Sequence, residues 1–243
     1  LFEAKKIKSE FRLDKKTFFI LSFLIGLSLF LGSALQQVAL LYTDVANAAF
    51  FTIFYVPMVP IIIFIFNRKS IHWSVWPSVF LCVIGGYLLT NFQDATVRLG
   101  DTLVLLGALF WSTHIIFTGI MVTKYNLPLT VGATQTLIVS LFSFIIGSIY
   151  EEFIFKNILN EIYSILYAGI LSGGIAFVLQ IYAQRNITPA PAAIIFSLEG
   201  VFATIAAWFL LNQILNINNL LGCFFILCGV LLSQLLPLIK KKA

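Results

Sequence analysis

The feature that most constrains this chain is a succession of long apolar segments. One of them, from Thr188 to Leu211, reads TPAPAAIIFSLEGVFATIAAWFLL. It is long enough to cross a bilayer, because about 20 residues at ~1.5 Å per residue cover a hydrocarbon core of about 30 Å. The whole chain is 60% hydrophobic and only 10% charged, whereas soluble domains have about 25% charged residues. Lipid is therefore the expected solvent, and the long apolar blocks indicate membrane-spanning helices.

Eight apolar segments are separated by short polar connections, and together they predict an all-α, polytopic membrane protein. Their approximate bounds are 17–42, 45–66, 73–91, 101–123, 128–149, 162–184, 189–211 and 217–237. A basic segment, 1–16, precedes them, and a short basic tail, 238–243, follows them.

The distribution of charge predicts the orientation of these helices. If the N-terminus lies in the cytoplasm, thirteen of the fifteen Lys and Arg residues fall on the cytoplasmic side, and only Arg98 and Lys156 fall outside. Positive residues concentrate in cytoplasmic loops, so both termini of this chain are expected there. The net charge of +5 is thus a topology signal, and no nucleic-acid partner is expected.

The sequence contains no phosphate-binding loop, nucleotide fingerprint or cluster of metal ligands. Its three cysteines, Cys82, Cys223 and Cys228, lie within apolar segments, and we interpret them as small core residues. We therefore expect no cofactor, no metal and no enzymatic activity.

Three helices of the chain repeat with an offset of 144 residues and no gap. The offset aligns Leu35-Gln36 with Leu179-Gln180, Ala46, Ala48 and Ala49 with Ala190, Ala192 and Ala193, and Gly85 with Gly229. The charge distribution gives segment 17–42 and its equivalent 162–184 opposite directions, as in the inverted repeats of secondary transporters. Inversion requires an odd number of helices in each repeat. We therefore predict two repeats of five helices each, ten in full, with about two helices preceding Leu1.

Three stretches resemble EamA-domain proteins of the drug/metabolite transporter superfamily. GDTLVLLGALFWSTHIIFTG (100–119) is similar to the opening of that family's second half. AQRNITPAPAAIIFSLEGVFATIAAWFLLNQ (183–213) is similar to its penultimate helix, and ALLYTDVANAAFFTIFYVPMVPI (39–61) to the first-half equivalent of that helix. Gln213 and Lys69 depart from the family, in which an acidic residue usually closes the penultimate helix.

The resemblance implies a division of the chain into repeats. Segment 17–91 would be the last three helices of the first EamA repeat, and 101–237 the five helices of the second. It also implies a central cavity and the movement of small metabolites across the bacterial inner membrane.

Glu199 is the only acidic residue that this assignment places inside the membrane. A carboxyl group at that depth costs several kcal/mol unless it is protonated, paired or facing water, so it marks a pathway or a binding site by default. One interpretation is a cavity-facing group that binds a proton or a substrate amine. The other is a protonated Glu that hydrogen-bonds to a neighbouring helix and holds the bundle together.

His114 and Trp111 are further candidates, one turn apart near the middle of segment 101–123. A histidine at this depth relays protons or binds an anion, or it is a neutral side chain bonded to a facing Ser or Thr. The indole either lines a cavity wall or simply packs.

Tyr55 occupies the repeat position of Glu199, so a cavity that contains one is expected to contain the other. Gln36 and Gln180 form a second equivalent pair, interpreted either as polar gates or as ties between helices. Both pairs are candidates for substrate binding or coupling.

Prolines and glycines predict two local features. Pro57 and Pro60 are expected to kink segment 45–66, because proline removes a helical hydrogen bond. Gly169 and Gly173 form a small-residue pair that is expected to let helices approach closely.

Taken together, these features favour a secondary transporter, an exporter in our interpretation, of a small polar or amphipathic metabolite. It would work by alternating access, coupled to protons or to exchange through Glu199, as a monomer or homodimer. One alternative is an intramembrane lipid-modifying enzyme that uses Glu199 and His114 as acid and base. The other is a non-transporting membrane partner or sensor.

Overall fold

A computed structural model describes residue 3 and residues 14–67, 71–90, 98–212 and 214–240. Most of the basic segment 1–16, the Arg68-Lys69 loop, Gln213 and the end of the basic tail lie outside the described residues. Every regular element within the described ranges is a helix, which confirms the all-α prediction.

The helices follow one another with short connections. They are α1 (Lys15–Ala39), α2 (Val45–Thr52), α3 (Tyr55–Asn67), α4 (Val75–Thr90), α5 (Leu99–Tyr125), α6 (Pro128–Tyr150), α7 (Phe155–Asn160), α8 (Ile162–Leu166), a π-helix (Tyr167–Ala176), α9 (Phe177–Gln184), α10 (Pro189–Phe196), α11 (Leu198–Leu211) and α12 (Ile217–Lys240).

Seven stretches of the described chain are long and apolar enough to cross a membrane. They are Lys15–Ala39, Val45–Phe66, Leu99–Tyr125, Pro128–Tyr150, Ile162–Gln184, Pro189–Leu210 and Ile217–Ile239. The eighth predicted segment corresponds to α4, which is apolar but has only 16 residues. The chain is therefore a polytopic helical membrane protein, as its sequence predicts.

The span formed by α2 and α3 breaks at the same repeat position as the span formed by α10 and α11. α2 is followed by its cap residue Ile53, and α10 by Ser197, 144 residues later. Ile53 has φ −58° and ψ −18°, and Ser197 has φ −60° and ψ −15°. The repeat inferred from sequence is therefore also a repeat of backbone shape.

Pro57 explains the first break. It has no N–H to donate to the carbonyl of Ile53, four residues earlier, and its ring crowds that carbonyl. The Ile53 carbonyl accepts a hydrogen bond from the Val56 N–H instead, at 2.9 Å. The predicted kink is thus a break that precedes both prolines, which lie in α3.

The second break needs another cause, because Val201 stands at the position equivalent to Pro57. There the Ser197 hydroxyl donates to the Ile194 carbonyl at 2.6 Å. The Gly200 N–H, which is equivalent to that of Val56 in the first span, donates to the Ser197 carbonyl at 3.3 Å. Two different local chemistries therefore produce one backbone shape.

α4 and α12 pack antiparallel, and their closest contacts obey a twofold symmetry. A Cβ atom added to Gly85 would lie 2.7 Å from the Gly222 carbonyl oxygen, and one added to Gly229 would lie 2.8 Å from the Ser78 carbonyl oxygen. In the 144-residue repeat, Gly85 is equivalent to Gly229 and Gly222 to Ser78. The two contacts are therefore equivalent to each other.

A second pair of contacts exchanges in the same way. The added Cβ of Gly85 would meet Ile226 at 2.6 Å, and that of Gly229 would meet Cys82 at 2.8 Å. An operation that exchanges two antiparallel helices is a twofold rotation about an axis perpendicular to both. If the helices cross the bilayer, that axis lies in the membrane plane, which defines an inverted repeat.

Gly169 and Gly173 do not mediate a close helix approach, so that prediction is wrong. Among the described residues, nothing lies within 4 Å of a Cβ placed on Gly169, and Gly173 meets only the Ala168 carbonyl of its own segment. Both glycines lie in the π-helix.

The chain divides into two compact units; two of the three boundaries fall inside the long helices α1 and α5, and the third lies in the connection between α9 and α10. The first unit comprises residues 1–31 and 117–187, and its core includes Ile25, Met121 and Ile181. Within it, the side chain of Val178 on α9 closes over Gly132 on α6.

The second unit comprises residues 32–116 and 188–243. Its main core brings together α3, α4, α5 and α10 through buried residues such as Val56, Val79, Ile115, Ala193 and Ile194. This unit contains both broken spans and the symmetric pair α4 and α12.

Candidate functional site

Tyr55 is the first residue of α3, directly after the first break, and its side chain is buried in the core of the second unit. It is 5% exposed, and within the described part of the chain its hydroxyl has no hydrogen-bond partner. Burying a hydroxyl without a partner costs about 1–3 kcal/mol. The protein therefore keeps a polar group here with unused hydrogen-bonding capacity.

Glu199 follows the second break as the second residue of α11. Unlike Tyr55, Glu199 is exposed. Its carboxyl group is close enough to the Tyr55 hydroxyl to interact with it electrostatically.

The nearness of Tyr55 and Glu199 has a geometric meaning. The two residues are equivalent in the 144-residue repeat, and two points related by a twofold rotation are close together only if both lie near the axis. We therefore expect the pair to lie near the axis that relates α4 to α12.

Two small side chains at this place were missed by the sequence reasoning. Ser197 Oγ lies 3.4 Å from Cys82 Sγ, both residues are buried, and Cys82 is within electrostatic range of Tyr55. Cys82 carries no signal in sequence beyond its apolar surroundings. Ser197 could have been found from its position two residues before Glu199.

Asn47 on α2 is a further residue that sequence reasoning missed. It is 5% exposed, and its Nδ2 has no hydrogen-bond partner among the described residues. A single Asn within an apolar segment was the available signal. Asn47 and Tyr55 give the second unit two buried donors that its described side chains leave unused.

Trp111 on α5 ties two helices together. Its Nε1 donates a hydrogen bond to Gln36 Oε1 on α1 at 3.2 Å, and its ring meets that of His114 edge-on, with centroids 6.1 Å apart. His114 is completely buried. Of the two interpretations of Gln36, this contact is the one expected of an interhelical tie.

α5 also contacts the start of α3. Ser112 Oγ lies 2.7 Å from the Ala108 carbonyl oxygen and 3.4 Å from that of Tyr55. The helix that carries Trp111 and His114 is therefore anchored beside the first break.

Gln180 belongs to the other unit. It lies on α9 and is half-buried, whereas Glu199, Tyr55, His114, Trp111 and Gln36 all lie in the second unit. The structure therefore groups five of the six predicted residues within one unit.

A polar cluster fixes one end of the second unit. Asp101, completely buried in the first turn of α5, accepts hydrogen bonds from the Thr43 hydroxyl at 2.5 Å and the Arg98 N–H at 2.8 Å. The Arg98 guanidinium in turn forms a salt bridge of 2.6 Å with Asp44. These contacts join the residues after α1 to the start of α5.

The first unit has an ion pair of its own. Lys124 Nζ lies 2.6 Å from Asp14 Oδ2, just before α1. The hydrogen bond from Lys124, with a second one from Thr17, lowers the pKa of Asp14 from 3.8 to about 2. This carboxylate therefore stays charged throughout the physiological pH range.

The described residues offer no group of three His, Cys, Asp or Glu side chains placed to hold a metal ion. The described chain is a set of apolar helices with an antiparallel internal repeat. That combination is typical of membrane transporters.

The comparisons with known proteins agree with this class. The model of the EamA-like transporter family matches residues 98–235. An uncharacterized transporter of Archaeoglobus fulgidus is 30% identical over 219 residues, which cover 88% of this chain and 68% of the relative. The chain therefore belongs to the EamA-like transporter family.

More distant relatives have the same description. An uncharacterized transporter of Methanothermobacter thermautotrophicus is 24% identical over 234 residues, covering 93% of this chain and 67% of its own length. The uncharacterized transporter YoaV of Bacillus subtilis is 25% identical over 146 residues, which cover 58% of this chain and 48% of YoaV.

A solved crystal structure of another protein has the same fold. Its TM-score is 0.74 at 14% sequence identity, over 96% of this chain and 83% of that one. At this identity the likeness concerns the fold alone.

Proposed function

We propose that this protein exports a small polar or amphipathic metabolite across the bacterial inner membrane by alternating access. Both termini of the chain lie in the cytoplasm, and the working unit is a monomer or homodimer without a nucleic-acid partner. The observation that carries the proposal is that Tyr55 and Glu199, which are equivalent in the repeat, are close enough to interact electrostatically.

The position beside the axis matters because of how inverted repeats work. When the two repeats exchange conformations, the opening moves from one face of the membrane to the other. Groups beside the axis stay near the centre in both states. Tyr55 and Glu199 therefore remain available to a bound substrate throughout the cycle.

Glu199 is proposed to bind a proton or the amine of the substrate. Its exposed side chain leaves the carboxyl group accessible to a ligand. A carboxyl at this depth is costly unless it is neutralised. Release of the proton therefore favours binding of the substrate amine, and release of the amine favours binding of a proton. That exchange is the proposed basis of coupling.

Tyr55 is proposed to orient the substrate. Its buried hydroxyl, which has no partner among the described side chains, can hydrogen-bond to a polar substrate atom. Cys82 and Ser197 line the same place and set how large a group fits there. Trp111 and His114 support the site from α5.

The alternative of an intramembrane enzyme receives no specific support. It requires Glu199 and His114 to act together as acid and base, and the electrostatic interaction that Glu199 makes is with the Tyr55 phenol. Proton transfer between an acid and a base in catalysis requires hydrogen-bond reach.

The test is flux through the full-length protein in proteoliposomes. A panel of small metabolites that differ in charge is screened with the wild type, and the substrate found is then measured with Glu199→Gln. The matched control is Glu152→Gln, which removes an exposed carboxyl in a loop. The proposal expects flux in the wild type and control and its loss in Glu199→Gln. Equal flux in all three removes Glu199 from the mechanism, and no flux with any compound removes the transport proposal.

A further inference from the structure

Polar contacts hold the start of α2 against the start of α5 at one end of the second unit. The Thr43 hydroxyl, just before α2, donates to the completely buried Asp101 carboxylate at 2.5 Å. Beside it, the Arg98 guanidinium forms its salt bridge of 2.6 Å with Asp44. A hydrogen bond to a charged group is stronger than one between neutral groups. We call these four residues the clasp.

Gly100 lets the two segments of the clasp approach each other closely. A Cβ atom added to it would lie 2.6 Å from the Ala39 carbonyl oxygen and 2.7 Å from Thr43 Cβ. Any larger residue at this position would push the end of α1 and the start of α2 away from α5. The clasp is therefore a close-packed contact and not a meeting of two flexible surface side chains.

Next to the clasp, α2 buries an amide group that has no partner. Asn47 lies one helical turn before Phe51, and Phe51 packs with Ala48 and with Val104 of α5 in one buried cluster. Asn47 is 5% exposed, and its Nδ2 has no hydrogen-bond partner among the described residues. Burying such a donor costs free energy that contact with water would restore.

The clasp and Asn47 therefore act in opposite directions on the same region. The hydrogen bond and salt bridge of the clasp favour the state in which α2 lies against α5. The unpaired amide of Asn47 favours a state in which the two segments part and water or a substrate reaches it. A contact that is stabilised and opposed in this way is suited to exist in two states of similar free energy.

The second broken span begins with different side chains. The residues equivalent to Thr43, Asp44 and Asn47 are Ile187, Thr188 and Pro191. Both spans nevertheless begin with an extended residue followed by a helix of eight residues. A broken span therefore forms without the clasp and without a buried Asn, so these groups serve a purpose specific to the first span.

We propose that the starts of α2 and α5 form a gate on the outer side of the substrate site, closed in this structure by the clasp and opened when the two segments part. The gate rests on the transport function proposed above, in which α2 and α5 begin on the side opposite the cytoplasm. Asn47 precedes Tyr55 by eight residues, about 12 Å of helix at ~1.5 Å per residue. It lies between Tyr55 and the clasp along the span, where its amide can bind the polar group of a departing substrate.

The experiment follows the exposure of a buried position beside the clasp in the full-length protein. Ala48, on α2 and 2% exposed, is replaced in the variant Ala48→Cys. Spheroplasts that contain this protein are treated from outside with a membrane-impermeant maleimide. The rate of alkylation at residue 48, measured by mass spectrometry, reports how often the gate opens.

The two opposing parts of the gate predict opposite changes in this rate. Thr43→Val removes a hydrogen bond to the Asp101 carboxylate and is expected to raise the rate at least about tenfold. Asn47→Leu replaces the unpaired amide with an apolar group of similar size and is expected to lower the rate at least about fivefold. Arg98→Gln removes only an exposed salt bridge, so a smaller increase is expected. It serves as the test if Thr43→Val does not fold.

Two controls separate the opening of the gate from a loosening of the whole unit. Thr52→Val removes another buried hydroxyl of α2, one that donates to the Ala48 carbonyl of its own helix at 2.8 Å, and is expected to leave the rate unchanged. Ile226→Cys places the probe at a completely buried position of α12. Its alkylation is expected to be the same with and without Thr43→Val.

The gate is overturned if Thr43→Val and Asn47→Leu change the rate at residue 48 in the same direction or not at all. It is also overturned if Thr43→Val raises alkylation equally at residues 48 and 226, because the clasp is then only an anchor for the fold. Flux distinguishes these failures from failure of the proposed function. Wild-type flux without a response at residue 48 overturns the gate alone, whereas opposite responses without flux of any compound support the moving contact and overturn transport.

Discussion

The two broken spans, α2–α3 and α10–α11, have the same backbone and different chemistry. Both first helices have eight residues and are preceded by an extended residue, Asp44 or Thr188, and both break at the same repeat position. After the break, the first span presents a phenol at Tyr55 and the second a carboxyl at Glu199. The repeat thus preserves the scaffold and leaves the polar groups asymmetric.

This difference separates structural from functional requirements. The first break follows from Pro57 and the second from Ser197, so the shape is kept although its local cause has changed. A shape kept by two different means is one that the fold needs. A side chain that differs at the same place is free to serve function.

The largest expected effect comes from neutralising the polar group of the second span. Glu199→Gln in the full-length protein is expected to lower flux at least tenfold and to remove its dependence on pH between about 5 and 8, because only the native side chain exchanges a proton. Asp14 cannot produce that dependence, since its pKa of about 2 keeps it charged over this range. A pH profile that persists in Glu199→Gln but disappears in His114→Gln would assign the proton to His114 instead.

The symmetric scaffold is tested by its glycines. Gly85→Ala and Gly229→Ala each place a methyl group within 2.8 Å of a backbone carbonyl oxygen, which costs about 1–3 kcal/mol by overpacking. Because the two contacts are equivalent, the two losses in unfolding free energy should agree within about 1 kcal/mol, measured by denaturation in detergent. Gly169→Ala, in open space, is the control with no such loss. A large loss at one site and none at its equivalent would contradict the twofold relation.

Tyr55→Phe separates function from stability in the first span. Removing a buried hydroxyl that lacks a partner among the described residues is expected to leave stability unchanged or raise it by about 1 kcal/mol. Flux is expected to fall severalfold, with a larger effect on KM than on the maximal rate if the hydroxyl binds substrate equally in all states. A lower unfolding temperature with normal flux would make Tyr55 a structural residue.

The smallest effect is expected where the two spans begin. Asp44→Thr makes the first span like the second, and it removes a salt bridge whose side chains are 66% and 36% exposed. Such exposed pairs contribute about 0–1 kcal/mol, and the loss should shrink at high salt. A loss above about 2 kcal/mol would show that this end of the span, and not only its break, is structurally asymmetric.

Sequence reasoning found the elements of the fold and their symmetry. The eight apolar segments match the helices within a few residues, except that 45–66 and 189–211 each consist of two helices and 162–184 of three. The short helix α7 was not predicted. Hydropathy does not show a break that leaves both halves apolar. The π-helix was equally invisible, because its hydrogen bonding depends on backbone geometry that an apolar sequence does not specify.

The candidate site was predictable only in part. The 144-residue offset pairs Tyr55 with Glu199, since symmetry carries one candidate to the other. The contact of Ser197 with Cys82 joins residues 115 positions apart, and no pattern in sequence signals it. Gly169 and Gly173 matched a spacing rule, but helix packing depends on a partner at the same depth.

The central claim is that Tyr55 and Glu199 occupy two equivalent places beside one axis. The most direct test exchanges them, as Tyr55→Glu with Glu199→Tyr, and measures flux in proteoliposomes beside the single variant Glu199→Tyr. The account predicts that the single variant is inactive and that the exchanged protein recovers to within about tenfold of the wild type, which is the coupling expected of neighbouring groups. If the exchanged protein is folded and as inactive as the single variant, the two places are not equivalent and the account is wrong.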